Sequence, residues 1–152
     1  MSGLRTFFAA REGNRGQSLV EFAVLVPLIL LIVTGVFDLA RAVWQENTLA
    51  YAAREGTRYA IVHGSNSPSP VGPTNPSDPA IAAVVRGSAV GVRNITVTTS
   101  WPDNSGGTPC NDRSCKVVVD ASAPFVPLPS QYLLGNAFQI QLHGGSVLVI
   151  QR

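Results

Sequence analysis

Hydrophobic positions fall into two different patterns along the chain. Residues 17–37 (QSLVEFAVLVPLILLIVTGVF) form a nearly unbroken apolar run, and no charge occurs from Phe22 to Phe37. As a helix, these twenty-one residues span roughly 32 Å at about 1.5 Å each, the thickness of a bilayer core. The span Leu19 to Phe37 therefore predicts a transmembrane helix. Residues 38–62 (DLARAVWQENTLAYAAREGTRYAIV) contain no Pro and many helix formers, so the same helix is expected to continue to about Val62. Leu39, Val43, Leu49 or Ala50, Ala53 and Ala60 form its expected apolar stripe. Small residues Ala50, Ala53, Gly56 and Ala60 would let a sheet pack closely, with Arg41, Arg54 and Arg58 off that face. His63-Gly64 reads as the helix end, Gly64 being a natural cap.

The second half changes period. Residues 64–79 (GSNSPSPVGPTNPSDP) are rich in Pro, Ser and Gly, and read as a loop with no power to build a core. Asp78-Pro79 then provides an N-cap and a first-turn proline for a short helix to about Val90. Alternation over Val92 to Trp101, with Ile95, Val97 and Thr99 on one face, predicts a strand, and Lys116 to Ala123 predicts another. Ala137 to Leu142 and Ser146 to Gln151 form the last segment, which His143-Gly144-Gly145 is expected to break into a hairpin turn or bulge. The fold class is α+β: one long N-terminal helix packed on a small antiparallel sheet of three to four strands, plus a short helix.

Composition adds direction to this outline. The chain has 152 residues, of which 13% are charged, about half the soluble average. Its mean hydropathy is +0.21. Net charge is +2 without any run of Lys or Arg, so there is no clustered basic face for nucleic acid. Arg5, Arg11 and Arg15 precede the span against the single acid Glu12, which predicts the N-terminus inside and the head outside. An ordinary cleaved secretory signal fits poorly. The apolar stretch is too long and no A-x-A-like site follows it.

One residue in the span calls for a chemical explanation. Glu21 lies about a turn from its polar end, where a carboxylate costs up to roughly 3 kcal/mol at depth. Either it reaches to the interface or it has a partner. The run Arg15-Gly16-Gln17-Ser18-Leu19-Val20-Glu21-Phe22 resembles the N-terminal signature of TadE-like proteins of the tight-adherence (Tad/Flp) pilus system, which carry a class III signal. Ala52-Ala53-Arg54-Glu55-Gly56-Thr57-Arg58-Tyr59-Ala60 resembles the segment that follows the membrane helix in that family. Weaker similarities occur at Phe125-Val126-Pro127-Leu128 and at the closing Ser146-Val147-Leu148-Val149.

The resemblance implies a pilin-like architecture with cytoplasmic leader 1–16, span 17–37, helix extension 38–63, loop 64–79 and head 80–152. It implies cleavage by a prepilin peptidase between Gly16 and Gln17, and an assembly role for Glu21 and Phe22. A buried Glu21 would pair with the free amine of a neighbouring subunit. Location would be the bacterial inner membrane, and partners would be membrane lipid, other pilin-like subunits and the peptidase. The alternative is a stand-alone membrane-anchored binding module.

Cys110 and Cys115 bracket four residues. They could be half of a metal site, but His63 and His143 are isolated, so in an oxidising compartment a disulfide is the better reading. Asn94-Ile95-Thr96 matches a glycosylation acceptor but falls in an expected strand and is discounted. No phosphate-binding loop, H-E-x-x-H, nucleophile elbow or paired-carboxylate element is present. The chain reads as a non-enzyme with no cofactor, no metal and no small-molecule substrate.

Overall fold

The computed structural model describes residues 13–74, 76–105, 108–133 and 138–151. The leader positions Arg5, Arg11 and Glu12, and Ala137, lie outside them. Helix α1 runs without interruption from Gly13 to Val62, through Pro27. Helix α2 (Pro79–Ser88) follows, then strand β1 (Thr96–Ser100), the two-residue strands β2 (Asn104–Ser105) and β3 (Thr108–Pro109), and β4 (Lys116–Phe125). A short helix α3 (Leu128–Leu133) precedes β5 (Ile140–Val149). The main sheet has three antiparallel strands in the order β1-β4-β5, and β2 and β3 pair separately. The molecule is α+β, a long apolar helix with its second half laid across a three-stranded sheet.

The core sits where α1, α2 and the inner sheet face meet. Every second residue of β4 from Val117 to Phe125 is buried, as period-two alternation requires. Against them pack Ile81, Ala82 and Val85 of α2 and Leu49, Ala52, Ala53 and Ala60 of α1. The expected stripe on α1 was displaced by one residue at its start. Leu39 and Val43 are exposed, whereas Asp38 is buried and Ala42 and Gln45 are half-buried, leading into Leu49. A series beginning at Asp38 and advancing by three or four residues is the face that meets the head. The sequence pattern missed it because its first member is charged.

The glycines of β5 were misread. No turn or bulge interrupts the strand: Gly144 pairs with Ala121 and Gly145 with Asp120 in an unbroken register. A Cβ on Gly144 would come within 2.3 Å of the Ala50 nitrogen and 2.4 Å of the Leu49 carbonyl carbon. Gly144 is thus where the helix backbone touches the sheet, and Gly56 makes the matching close approach to Val85, Ile81 and Val119 from the helix side.

Two further expectations were corrected. Strand β1 begins only at Thr96, because Asn94 adopts φ 55° and Gly91 φ 79°, which keeps Val92–Ile95 out of the sheet. Asn94 therefore lies in an exposed loop rather than in a strand. The proline-rich loop also contributes to the core, since Val71 is buried. Its backbone N–H donates to the His63 carbonyl at 2.8 Å, and Asn111 donates its side-chain amide to the Val71 carbonyl. Asp78 closes the loop: Oδ1 caps α2 at Ala80 N (2.9 Å), and Oδ2 accepts from Gly72 N (3.1 Å).

A candidate assembly helix

The long helix presents two surfaces of different character. From Leu19 to Phe37 its large apolar side chains, Phe22, Leu31 and Phe37 among them, are exposed. The most apolar eighteen-residue window has a mean hydropathy of 2.6 and is 0% buried. A soluble core helix would bury such a face. Among the described residues nothing covers it, and a lipid environment is the solvent that suits it.

Gly16, Gln17, Glu21 and Phe22 all lie in the first turns of α1. Gly16 is exposed, and a Cβ built there meets nothing within 4 Å. One turn on, Gln17 Nε2 donates to Glu21 Oε1 at 3.2 Å, which brings two of the four expected residues into contact. Phe22 projects outward with 68% exposure. Val20, Glu21, Val24 and Leu25 line a shallow groove, so the carboxylate is set in an apolar surface. Thr34 returns its hydroxyl to the Leu31 carbonyl at 3.0 Å, which removes the other polar side chain of the span from exposure to hydrocarbon.

At the far end of the span sits a residue that sequence reasoning passed over. Asp38 is 6% exposed; its Oδ1 pairs with Arg41 at 2.9 Å, and its Oδ2 accepts the Leu128 backbone N–H at 2.7 Å. The first residue of α3 is thereby fastened one position beyond the last apolar residue of the span. The Arg41 guanidinium lies 5.4 Å from the centroid of the Phe125 ring. Its signal was available: an acid directly after a long apolar run, three residues before an Arg, can serve as a helix-face ion pair.

Farther along, Ala52, Ala53, Gly56, Thr57 and Ala60 are all buried against the head, and Thr57 Oγ1 donates to the Ala53 carbonyl at 2.7 Å. Arg54 and Arg58 point away, with Arg58 reaching Glu55 at 3.1 Å. Cys110 and Cys115 are joined by a disulfide, Cα–Cα 5.9 Å, at the loop that holds the Val71 segment. His63 stacks on Tyr59 and contacts its carbonyl, while His143 is exposed on the outer sheet face. Among the described residues no group of three or more His, Cys, Asp or Glu could hold a metal.

No curated protein and no solved structure matches the chain. A family model does match, over residues 16–58, and that segment lies wholly within α1. It takes in Gly16, Glu21, the apolar span, Asp38 and the small-residue face, and stops before the sheet. The matched family is described as TadE-like protein, and the long apolar helix fits a single-pass membrane anchor. From Gly16 to Arg58, the helix that carries this head is similar to that of the TadE-like proteins.

Proposed function

We propose that the chain is a pilin-like structural or assembly component of a Tad-type pilus or related secretion apparatus. It is held in the inner membrane with its N-terminus cytoplasmic and its sheet domain outside. The observation that carries this reading is the position of Glu21: an exposed carboxylate in an exposed apolar helix, hydrogen-bonded to Gln17 and flanked by Val20, Val24 and Leu25. In hydrocarbon such a group needs an opposite charge.

Cleavage by a prepilin peptidase after Gly16 would supply one. Gln17 would then carry a free α-amine, about 6 Å along the helix axis from Glu21. A neighbouring subunit shifted by a similar distance would bring its own amine to this carboxylate, offsetting both desolvation costs and fixing the axial register. Gly16 is exposed, with nothing within 4 Å of a Cβ built on it, so a peptidase could reach its peptide bond. The small side chain of Ala23, next to Phe22, leaves room for close helix contact.

The processed chain is recognised by its mass. Protein extracted from membranes of a strain with an intact peptidase should begin at Gln17, and a Gly16 substitution should retain the leader. Recovery of the intact leader from the unsubstituted protein would refute processing.

A further inference from the structure

Where the helix leaves the span, the head forms a cleft of about 360 Å³. Its walls bring together Arg41 and Gln45 of α1, Arg93 and Asn94 of the α2–β1 loop, Phe125 at the end of β4 and Gln131 of α3. No acid lines it. Asp38 neutralises Arg41 from the side, while Arg93 has no carboxylate partner among the described residues. The two arginines and one aspartate leave a net charge of +1, surrounded by the amide donors of Gln45, Asn94 and Gln131. That combination of one positive charge, forked guanidinium donors and neutral amides suits a monoanionic phosphodiester.

The height of the cleft identifies the source of the phosphate. Arg41 and Gln45 are four and eight residues beyond Phe37, or roughly 6–12 Å along the helix axis. The headgroup layer extends about 5–8 Å beyond each side of the hydrocarbon core. Trp44, half-exposed on the same turn of α1, lies against Gly91 at the rim of the cleft, where a Cβ would come within 2.7 Å of its ring. An amphipathic indole at this level is the usual marker of the membrane interface. The cleft volume is at the small end for ligand sites, enough for a headgroup without its acyl chains.

We infer that this cleft binds the phosphate of an anionic phospholipid headgroup in the leaflet facing the sheet domain, seating the head against the membrane. The inference rests on the anchored reading of α1. Arg93 and Arg41 hold the phosphate oxygens, and Asn94 lines the same space.

The test uses full-length chain in mild detergent, with phosphatidylglycerol or phosphatidylcholine added and retained lipid counted by native mass spectrometry. Wild type should retain phosphatidylglycerol in preference to phosphatidylcholine by about fivefold for each arginine engaged. Arg93→Gln, at an exposed position with no ion pair among the described residues, should reduce that preference about fivefold, and Arg93→Lys should keep most of it. Far-UV circular dichroism checks that the variants are folded. Equal retention of the two lipids, or a preference unaltered by Arg93→Gln, would overturn the inference. So would inorganic phosphate that binds in lipid-free detergent and abolishes the preference, since the site would then take a free anion. Carbonate extraction of membranes reads the anchor separately: a chain released by carbonate sinks the anchored reading whatever the lipid result.

Discussion

Asp38 and Leu128 are separated by ninety residues, yet the Asp38 carboxylate accepts the Leu128 backbone N–H at 2.7 Å while its second oxygen holds Arg41. This contact joins α1, one residue beyond the span, to helix α3 of the head. It limits how the head can rotate about the helix. Replacing a buried acceptor leaves the Leu128 N–H and the Arg41 charge without their partner, a loss of about 1–3 kcal/mol. Asp38→Ala should therefore lower the thermal midpoint of the head by several degrees, with Asp38→Asn intermediate, as measured by near-UV circular dichroism of the full chain in detergent. An unchanged midpoint would show that α3 is held by other contacts.

Gly144 makes a sharper structural prediction. With helix backbone 2.3 Å from its virtual Cβ, no side chain rotation can relieve the clash, so Gly144→Ala should cost at least about 2 kcal/mol. Gly87, inside α2 with open space around it, provides the contrast: Gly87→Ala should stabilise by roughly 0.5–1 kcal/mol through helix propensity. Paired thermal melts check both signs. Two small effects of the same sign would contradict the packing described between α1 and β5.

The sequence revealed the helix more readily than the site. An uncharged run from Phe22 to Phe37 leaves little choice of structure, and Asp78-Pro79 and the alternation in β4 follow local rules that need no knowledge of the rest of the fold. What escaped notice depends on contacts distant in sequence. Gly144-Gly145 looked like a break because local chemistry offers that reason for paired glycines, whereas the real reason, the backbone of Leu49 and Ala50, lies more than ninety residues earlier. Asp38 looked like the first polar residue after a span because its partner Leu128 sits in a helix too short and too proline-flanked to announce itself. Of the processing and assembly residues, Glu21 was conspicuous by its chemistry alone; the significance of Gly16 came from resemblance.

The disulfide should stabilise a local region rather than the whole head. The loop-entropy relation gives about 2 kcal/mol for so short a loop. That loop carries Asn111, whose side chain holds both the Val71 carbonyl and the Trp101 indole, the latter at 3.2 Å. In a Cys110→Ser, Cys115→Ser variant, hydrogen exchange at the Val71 amide should quicken while the β4–β5 amides keep their protection. Uniform loss of protection across the sheet would mean that the bridge supports the entire fold.

Glu21→Ala separates anchoring from assembly. The substitution removes a charge from the span, so membrane insertion should be retained or improved, and cleavage before Gln17 should proceed. Only the subunit-to-subunit pairing is lost. Cross-linking of membranes should then show the wild-type chain in complexes with other pilin-like subunits and the variant largely alone. Equal cross-linking of both would remove Glu21 from the interface.

Negative-stain microscopy of cells lacking the chain, complemented with either wild type or Glu21→Ala, decides whether this helix is an assembly element and more than an anchor. Surface pili should be lost in the deletion, recovered with wild type, and not recovered with Glu21→Ala at equal membrane levels. Normal pili in the deletion strain would contradict the assembly role.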